Sequence, residues 1–418
     1  MTLKKLLMVA YYFPPQGGAG VQRTLKFVKF LPEFGWLPVV ITVHPRYATV
    51  VDPTLDAEIP DGVQVFRTST LVLPKQLPWR LRKFVGRWLL VVDDQLGWSP
   101  HAISLGRKLI AEHRPDAIFS TSAPFTDHLV AMRLANQGRI PWVADFRDPW
   151  LGNISLRFPT ALHASVNTKL ESNIIMQASR VTVVNESMRL NLVNRFPGIA
   201  PDKFVSIPNG YDPNDFNGIE NIEIDQEKFI ISYTGSFYTG SITPDAFLFS
   251  LKHLLGQQVI NPNRLRVFFV GNINMQVQHT ITAMGLEEVV KVVGYLAHRK
   301  SIAYLLRSNL LLLISGNRPG SEMITTGKVY EYLAAKKPIL ALSSRGAARD
   351  LILQARAGIV VDPEDVPGIA SQIEYFYRHW EKGINHIDSR QEVVDLYDRR
   401  LLTAQLARLL DSLIPDQP

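Results

Sequence analysis

The sequence predicts an α/β protein built from two doubly wound domains that face each other across a cleft. Three observations lead there. Short β-branched apolar runs alternate with helical patterns along the chain, the mark of helix-covered parallel sheets. The series stops at a polar stretch, GYDPNDFNGIENIEIDQEK (210–228), and then starts again. The length, 418 residues, suits two domains better than one.

The strand series of the first half runs LLMVAYYF, PVVITVH, QVFRTS, AIFSTS, WVADF, RVTVVN and FVSIPNG, with helices at 20–34 and 126–137 among the segments between them. The second half runs FIISYTGSF, LRVFFVGNI, VVKVVGY, NLLLLIS, KPILALS and AGIVV. The expected domains are therefore 1–212 and 213–388. A helical tail, 389–418, follows both series and is free to pack back across the junction. Ligands of such sheets sit at the carboxyl ends of the strands, so the loops after strands carry the candidate chemistry.

Composition narrows the class. With 46% apolar and 20% charged residues the chain can bury full cores. It has no cysteine, which excludes disulfides and thiolate metal sites and fits a reducing compartment. No apolar run approaches the ~20 residues of a bilayer span, and LLMVAYYF runs into a Pro-Pro turn without a cleavage pattern. A cytoplasmic protein is expected. The net charge of +7 is concentrated in residues 1–210, which hold 24 Lys and Arg against 15 Asp and Glu. That imbalance suggests a polyanionic partner or an anionic membrane surface. The basic residues form no nucleic-acid-binding module, so nucleic acid is a poor fit.

The loop after the first strand, YYFPPQGGAGVQR, is rich in glycine. A dinucleotide fingerprint starting Gly18-x-Gly20 would need glycine at 23, where Arg23 stands, and the second strand ends without an acidic residue. What remains is Gly17 and Gly18 ahead of a helix, either a tight turn or a backbone able to approach an anion. TTGKVYEYLAAKKPILAL (325–342) is not a P-loop, because Val329 follows the lysine. It places Thr326 and Gly327 at a helix start, Lys328 in the first turn and Glu331 three residues on, near the same face. A lysine is disfavoured at the positive end of a helix and so implies a facing anion; a carboxylate beside it can accept from a ribose diol. The same residues also fit a solvated helix start with a local Lys–Glu pair.

WVADFRDPW places Asp145, Arg147 and Asp148 just after a strand, as catalytic polar groups or as an ion pair that locks the loop. PWRLRKFVGRWLLVVDDQLGW (78–98) reads as a basic amphipathic helix. Arg80, Lys83 and Arg87 lie on one face and Trp88 is among the apolar positions, which suits a membrane surface or packing on its own domain. No D-x-D, H-E-x-x-H or G-x-S-x-G occurs, so no metal–diphosphate clamp, zinc site or serine nucleophile is visible.

In this order, YYFPPQGGAGVQR, TSAPF, ADFRDPW, SIPNGYDPNDF, YTGSF and GKVYEYLAAKKPILAL resemble glycosyltransferase family 4, the retaining, metal-independent nucleotide-sugar enzymes of the GT-B fold with two Rossmann-like domains. The bacterial branch that builds surface polysaccharides on lipid-linked acceptors is the most similar. The resemblance covers nearly the whole chain. It implies a nucleoside-diphosphate sugar held mainly by the second domain, no cofactor, and a lipid-linked or glycan acceptor at the first. Lys328 would neutralise the donor diphosphate and Glu331 would bind the ribose. Gly235, Ser236, Thr326 and Gly327 would frame the donor, and Gly17 and Gly18 would approach its diphosphate from the first domain. Asp145, Arg147 and Asp148 would serve the reaction, and Arg80, Lys83, Arg87 and Trp88 the acceptor or membrane side.

The chain also departs from the pattern. Met323 replaces the glutamate usual eight positions before Glu331, with Glu322 one residue off. The loop TGSFYTGS lacks the usual Arg and Lys, a charge that Arg147 or another basic side chain across the cleft could supply. No histidine follows the strand at ADFRDPW, and His128 is the nearest substitute. Two other readings share the layout: a nucleotide-sugar 2-epimerase, and a non-catalytic nucleotide-binding scaffold.

Overall fold

The computed structural model describes residues 3–71, 92–153, 158–237, 242–316, 323, 325–384 and 388–414. It divides into two compact units. One comprises the chain up to Pro208 together with the stretch from Arg399 onward; the other is Asn209–Asp398.

Among the described residues the first unit holds seven parallel strands: β1 (Lys4–Val9), β2 (Trp36–Val43), β3 (Gln64–Thr68), β4 (Ala117–Ser122), β5 (Trp142–Phe146), β6 (Arg180–Val183) and β7 (Phe204–Ser206). They are ordered β3-β2-β1-β4-β5-β6-β7. The described residues of the second unit hold six: β8 (Phe229–Thr234), β9 (Leu265–Val270), β10 (Val290–Gly294), β11 (Leu310–Ile314), β12 (Ile339–Leu342) and β13 (Gly358–Val361). Their order, β10-β9-β8-β11-β12-β13, is that of the doubly wound fold. Every strand expected from the sequence is present. The order reverses between β1 and β4 in one sheet and between β8 and β11 in the other, and those two points are where the carboxyl-end loops leave room for a ligand.

The strands are legible because both faces of each sheet are covered. In β11, Leu310, Leu312 and Ile314 join one core cluster and Leu311 and Leu313 the other. Strict alternation between two buried faces makes the whole strand apolar. Helices begin where side-chain caps permit: Asn185 accepts from the Met188 amide at 2.8 Å, and Asn274 caps the helix Met275–Ala283 through Val277.

The helix Ala19–Phe30 and the C-terminal helix Arg399–Asp411 share the first unit's core, where Phe27 and Trp36 meet Leu402, Leu406 and Leu410. Asp411 also bonds Lys4 at 2.7 Å and the Trp36 indole at 3.1 Å. The short helix Gln391–Asp395, assigned to the tail on sequence grounds, belongs to the second unit. Val393 and Val394 are buried in that unit's core, and the Tyr211 amide donates to the Tyr397 carbonyl. The chain crosses between units at Pro208–Asn209 and at Asp398–Arg399.

Candidate functional site

In the second unit, Lys328 opens the helix Lys328–Ala334 and points its ammonium at β8. Nζ donates to the Tyr233 hydroxyl at 2.9 Å and lies 4.2 Å from the centre of its ring. Tyr233 passes its own hydrogen to the Ser236 carbonyl at 2.9 Å. Among the described residues no carboxylate comes within ion-pair distance of Lys328. Loss of water pulls its pKa down to about 7, an effect that Glu331 only partly offsets. The local Lys–Glu pair left open by the sequence is not formed. Glu331 turns instead to His298, Oε1 to Nε2 at 2.8 Å.

The loop at the end of β8 is shaped by two glycines. Gly235, at φ +125°, lets the Lys328 ammonium come so close that a Cβ would lie 2.6 Å from Nζ. Gly271, at φ +136°, lets the Gly235 carbonyl in, since a Cβ there would lie 2.1 Å from that oxygen. The Gly235 amide is committed to the Val270 carbonyl at 2.8 Å. Thr326 lies two residues before the helix Lys328–Ala334, and its buried hydroxyl has no hydrogen-bond partner among the described residues. Gly327 caps the helix without a side-chain bond. Lys328, Glu331, Gly235, Ser236, Thr326 and Gly327 thus all lie at the carboxyl end of the second sheet or at the start of the helix following β11. Tyr233, Gly271 and His298 join them unannounced. Glu322, the offset acid, is outside the described residues.

In the first unit the ADFRDPW triplet separates into three roles. Asp145 is fully buried. It accepts from Arg23 Nε and Nη2 (3.0 and 2.8 Å), Thr121 (2.8 Å) and Thr182 (2.7 Å). Burial alone would raise its pKa, but the Arg23 charge and these bonds hold the carboxyl below its usual range. Its lone pairs are taken and water cannot reach it, so the catalytic assignment of Asp145 gives way to a positioning one. Arg23, which excluded the dinucleotide reading, also donates to the carbonyls of Ile207 and Pro208.

Arg147 donates to the carbonyls of Ser122, Ala123 and Gly20. It is a clamp between the loop after β4 and the start of the helix Ala19–Phe30. It is therefore not the free cation that the sequence reading had it supply. Burial lowers its pKa from the usual guanidinium value. Asp148 is different: it is partly exposed and accepts no hydrogen bond among the described residues, and burial raises its pKa, with Arg147 opposing. Of the two carboxylates in this segment it is the open one.

Gly17 and Gly18 also diverge. The Gly17 amide is taken by the Val50 carbonyl at 3.0 Å. Gly18, at φ +95° with open space around it, is the residue from which the helix Ala19–Phe30 starts. His128 does not replace the family's histidine. It is fully buried beside Phe146 and Trp142, Nδ1 bonds Ser120 at 2.8 Å, and burial lowers its pKa to about 3. It is a neutral core residue. Arg80, Lys83, Arg87 and Trp88 lie outside the described residues. No helix among the described residues is long and apolar enough to cross a membrane.

Two doubly wound units, the second presenting at its strand ends a lysine with no carboxylate partner among the described residues and a glutamate held by His298, define an α/β protein of the GT-B fold. Two family profiles match: "Glycosyl transferase 4-like domain" over residues 17–210 and "Glycosyl transferases group 1" over 228–379. The chain belongs to the family-4-like glycosyltransferases. No curated protein sequence matches it.

Solved structures similar to it include sucrose-phosphate synthase from Thermosynechococcus elongatus, at 15% identity and TM-score 0.69, covering 98% of this chain and 99% of that one. Anabaena HepE in complex with UDP and glucose is 16% identical, with TM-score 0.67 and coverage of 98% and 100%. The lipopolysaccharide outer core galactosyltransferase WaaB is 11% identical, with TM-score 0.56 and coverage of 98% and 99%.

Proposed function

We propose that this glycosyltransferase is a retaining, metal-independent enzyme that moves a sugar from a nucleoside-diphosphate sugar to a lipid-linked or polysaccharide acceptor in cell-surface polysaccharide synthesis. The observation that carries the donor site is Lys328, a cation withdrawn from water with no carboxylate partner among the described residues. An isolated ammonium is costly to bury, and a diphosphate would repay that cost by direct charge neutralisation. The UDP in the HepE complex and the lipopolysaccharide outer core in the name of WaaB support the donor and acceptor classes.

In this reading the second unit binds the donor. Lys328 neutralises the diphosphate, Gly235, Ser236, Thr326 and Gly327 frame it, and Glu331 accepts from the ribose hydroxyls. As the bond from the anomeric carbon to the phosphate oxygen breaks, negative charge grows on the departing diphosphate. A fixed cation there lowers the barrier without a metal. The acceptor oxygen bonds to the anomeric carbon on the leaving-group side, and its proton departs with the diphosphate. In the first unit Asp148 orients the acceptor hydroxyl, and Arg23, Asp145 and Arg147 hold the loops that carry it. Arg80, Lys83, Arg87 and Trp88 bring the enzyme to the inner face of the cytoplasmic membrane.

Calorimetric titration with UDP, GDP, ADP and CDP in EDTA tests the donor site. One of them should bind, and Lys328→Ala should weaken it at least tenfold. If none binds at millimolar concentration, the reading fails. Proton NMR of the product made from the matching sugar nucleotide gives the anomeric configuration, and inversion would refute the retaining assignment.

A further inference from the structure

We infer that His298 is a positioning residue for donor recognition: it fixes the Glu331 carboxylate in the orientation that selects ribose over deoxyribose. The inference rests on the donor-site reading above.

His298 is the first residue of the helix His298–Arg307, which follows β10 at the carboxyl end of the second sheet. Its Nε2 lies 2.8 Å from Glu331 Oε1 and its Nδ1 lies 3.9 Å from Asp215 Oδ2. The ring is thus held between two carboxylates from different elements, the helix Lys328–Ala334 and the 3-10 turn Pro213–Phe216. A carboxylate can only accept, so the hydrogen of this bond sits on Nε2, and the ring delivers it along one direction. The imidazole side chain is 13% exposed and that of Glu331 24%. The bond is therefore sheltered while the carboxylate still faces outward.

A glutamate has three side-chain torsions and would otherwise sample several rotamers at a helix surface. The bond to His298 uses Oε1, and Oε2 has no hydrogen bond among the described residues. Glu331 lies one helical turn from Lys328, so a diphosphate at the lysine puts the adjoining ribose beside the carboxylate. A carboxylate already pinned by a donor on one oxygen presents the other in a set direction, which is what a cis-diol needs. Lys328 holds the phosphate whether or not Glu331 is oriented. The effect of His298 should therefore appear in sugar discrimination and leave charge neutralisation unchanged.

The test uses the full chain and paired ligands: UDP with 2′-deoxy-UDP, the corresponding GDP, ADP and CDP pairs, and inorganic pyrophosphate. The wild type should bind its preferred ribonucleotide about tenfold more tightly than the deoxy partner, the size expected of one charge-assisted hydrogen bond. In His298→Leu that preference should collapse while pyrophosphate affinity stays unchanged. His298→Gln, which keeps an N–H donor near the Nε2 position, should restore most of it. Glu331→Gln should lose the preference too, and the His298→Leu, Glu331→Gln double variant should lose no more.

Equal losses for pyrophosphate and ribonucleotide in His298→Leu would mean a structural role only and overturn the inference. An unchanged preference in that variant would overturn it as well. A wild type that binds no nucleoside diphosphate would instead sink the donor-site reading itself, and one that binds without preferring ribose would remove Glu331 from ribose recognition.

Discussion

Lys328 and Tyr233, 95 positions apart in sequence, meet through a 2.9 Å hydrogen bond, and the ammonium lies over the phenol ring at 4.2 Å. This pairing keeps the cation in place with a neutral partner. A salt bridge would have satisfied the charge and made the site unresponsive to an anion. A phenol hydroxyl holds the geometry and leaves the charge available.

The first prediction is a pH dependence with a definite sign. Lys328 titrates at about 7 when free, and a bound diphosphate raises that value by favouring the charged form. Binding therefore takes up a proton above pH 7. Affinity for UDP, or for whichever diphosphate binds, should fall about tenfold per pH unit from 7 up to the bound-state pKa. Titrations in buffers of different ionisation enthalpy measure the uptake directly. Tyr233→Phe removes the oxygen that accepts from the ammonium, so the inflection should move below 7. An inflection unmoved in that variant would mean the bond does not stabilise the charge.

The lowered lysine pKa also bears on stability. The unfolded chain binds more protons than the native state between about 7 and the ordinary lysine value of ~10.4. The native state therefore gains stability as pH rises through that window and carries the full cost of the buried charge below it. A diphosphate should raise Tm most at or below pH 7, and Lys328→Met should flatten the pH profile of Tm in its absence.

A second prediction concerns the glycine contact behind the lysine. Gly271→Ala would put a methyl 2.1 Å from the Gly235 carbonyl oxygen, at φ +136°. Strain of this kind costs about 1–3 kcal/mol, and relief requires the Gly235 loop to move away from Lys328. The variant should lose both stability and diphosphate affinity. Gly285→Ala, at φ +69° with nothing within 4 Å, is the control: it should lose stability and keep affinity. If both variants bind normally, the Gly235–Gly271 contact has no part in the site.

These sites show where sequence reasoning reaches and where it stops. The strands of both sheets were legible because alternate residues enter opposite cores, leaving few polar positions, as in β11. Lys328 and Glu331 were legible because a helical turn fixes their spacing. The partners were not. Tyr233 reaches Lys328, and His298 reaches Glu331, only after strands far apart in sequence become neighbours. The Asp-Arg-Asp run suggested a local ion pair, yet Asp145 binds Arg23, 122 positions away. Arg147 spends its hydrogens on main-chain carbonyls, which no pattern of side chains records.

A third prediction follows from that buried pair. Arg23 and Asp145 are both removed from solvent, so deleting one leaves the other's charge buried and unpaired. Arg23→Met should destabilise the protein by about 3–5 kcal/mol in urea unfolding. Asp145 has a folded-state pKa below its unfolded one. Its contribution is thus complete above the unfolded value near 4 and is lost as pH falls through the folded value. Wild-type stability should drop in that acid range, and Asp145→Asn should show less of the drop. Identical acid limbs in the two proteins would mean that other carboxylates govern it.

The last prediction sets stability against activity at Asp148. Its carboxylate accepts no hydrogen bond among the described residues and its pKa is raised by burial, in part countered by Arg147. A raised carboxyl pKa means that the charged form is destabilising when folded: the cost is absent below the unfolded pKa and is complete above the folded one. A purely structural residue would have no reason to retain that cost. Asp148→Asn keeps the shape and removes the charge, so Tm at pH 7 should rise or hold while kcat falls at least tenfold. On the proposed donor site at Lys328, which lies in the other unit, donor affinity should not change. Activity equal to wild type, together with a higher Tm, would show Asp148 to be dispensable for transfer and would leave the acceptor hydroxyl to be oriented by another group.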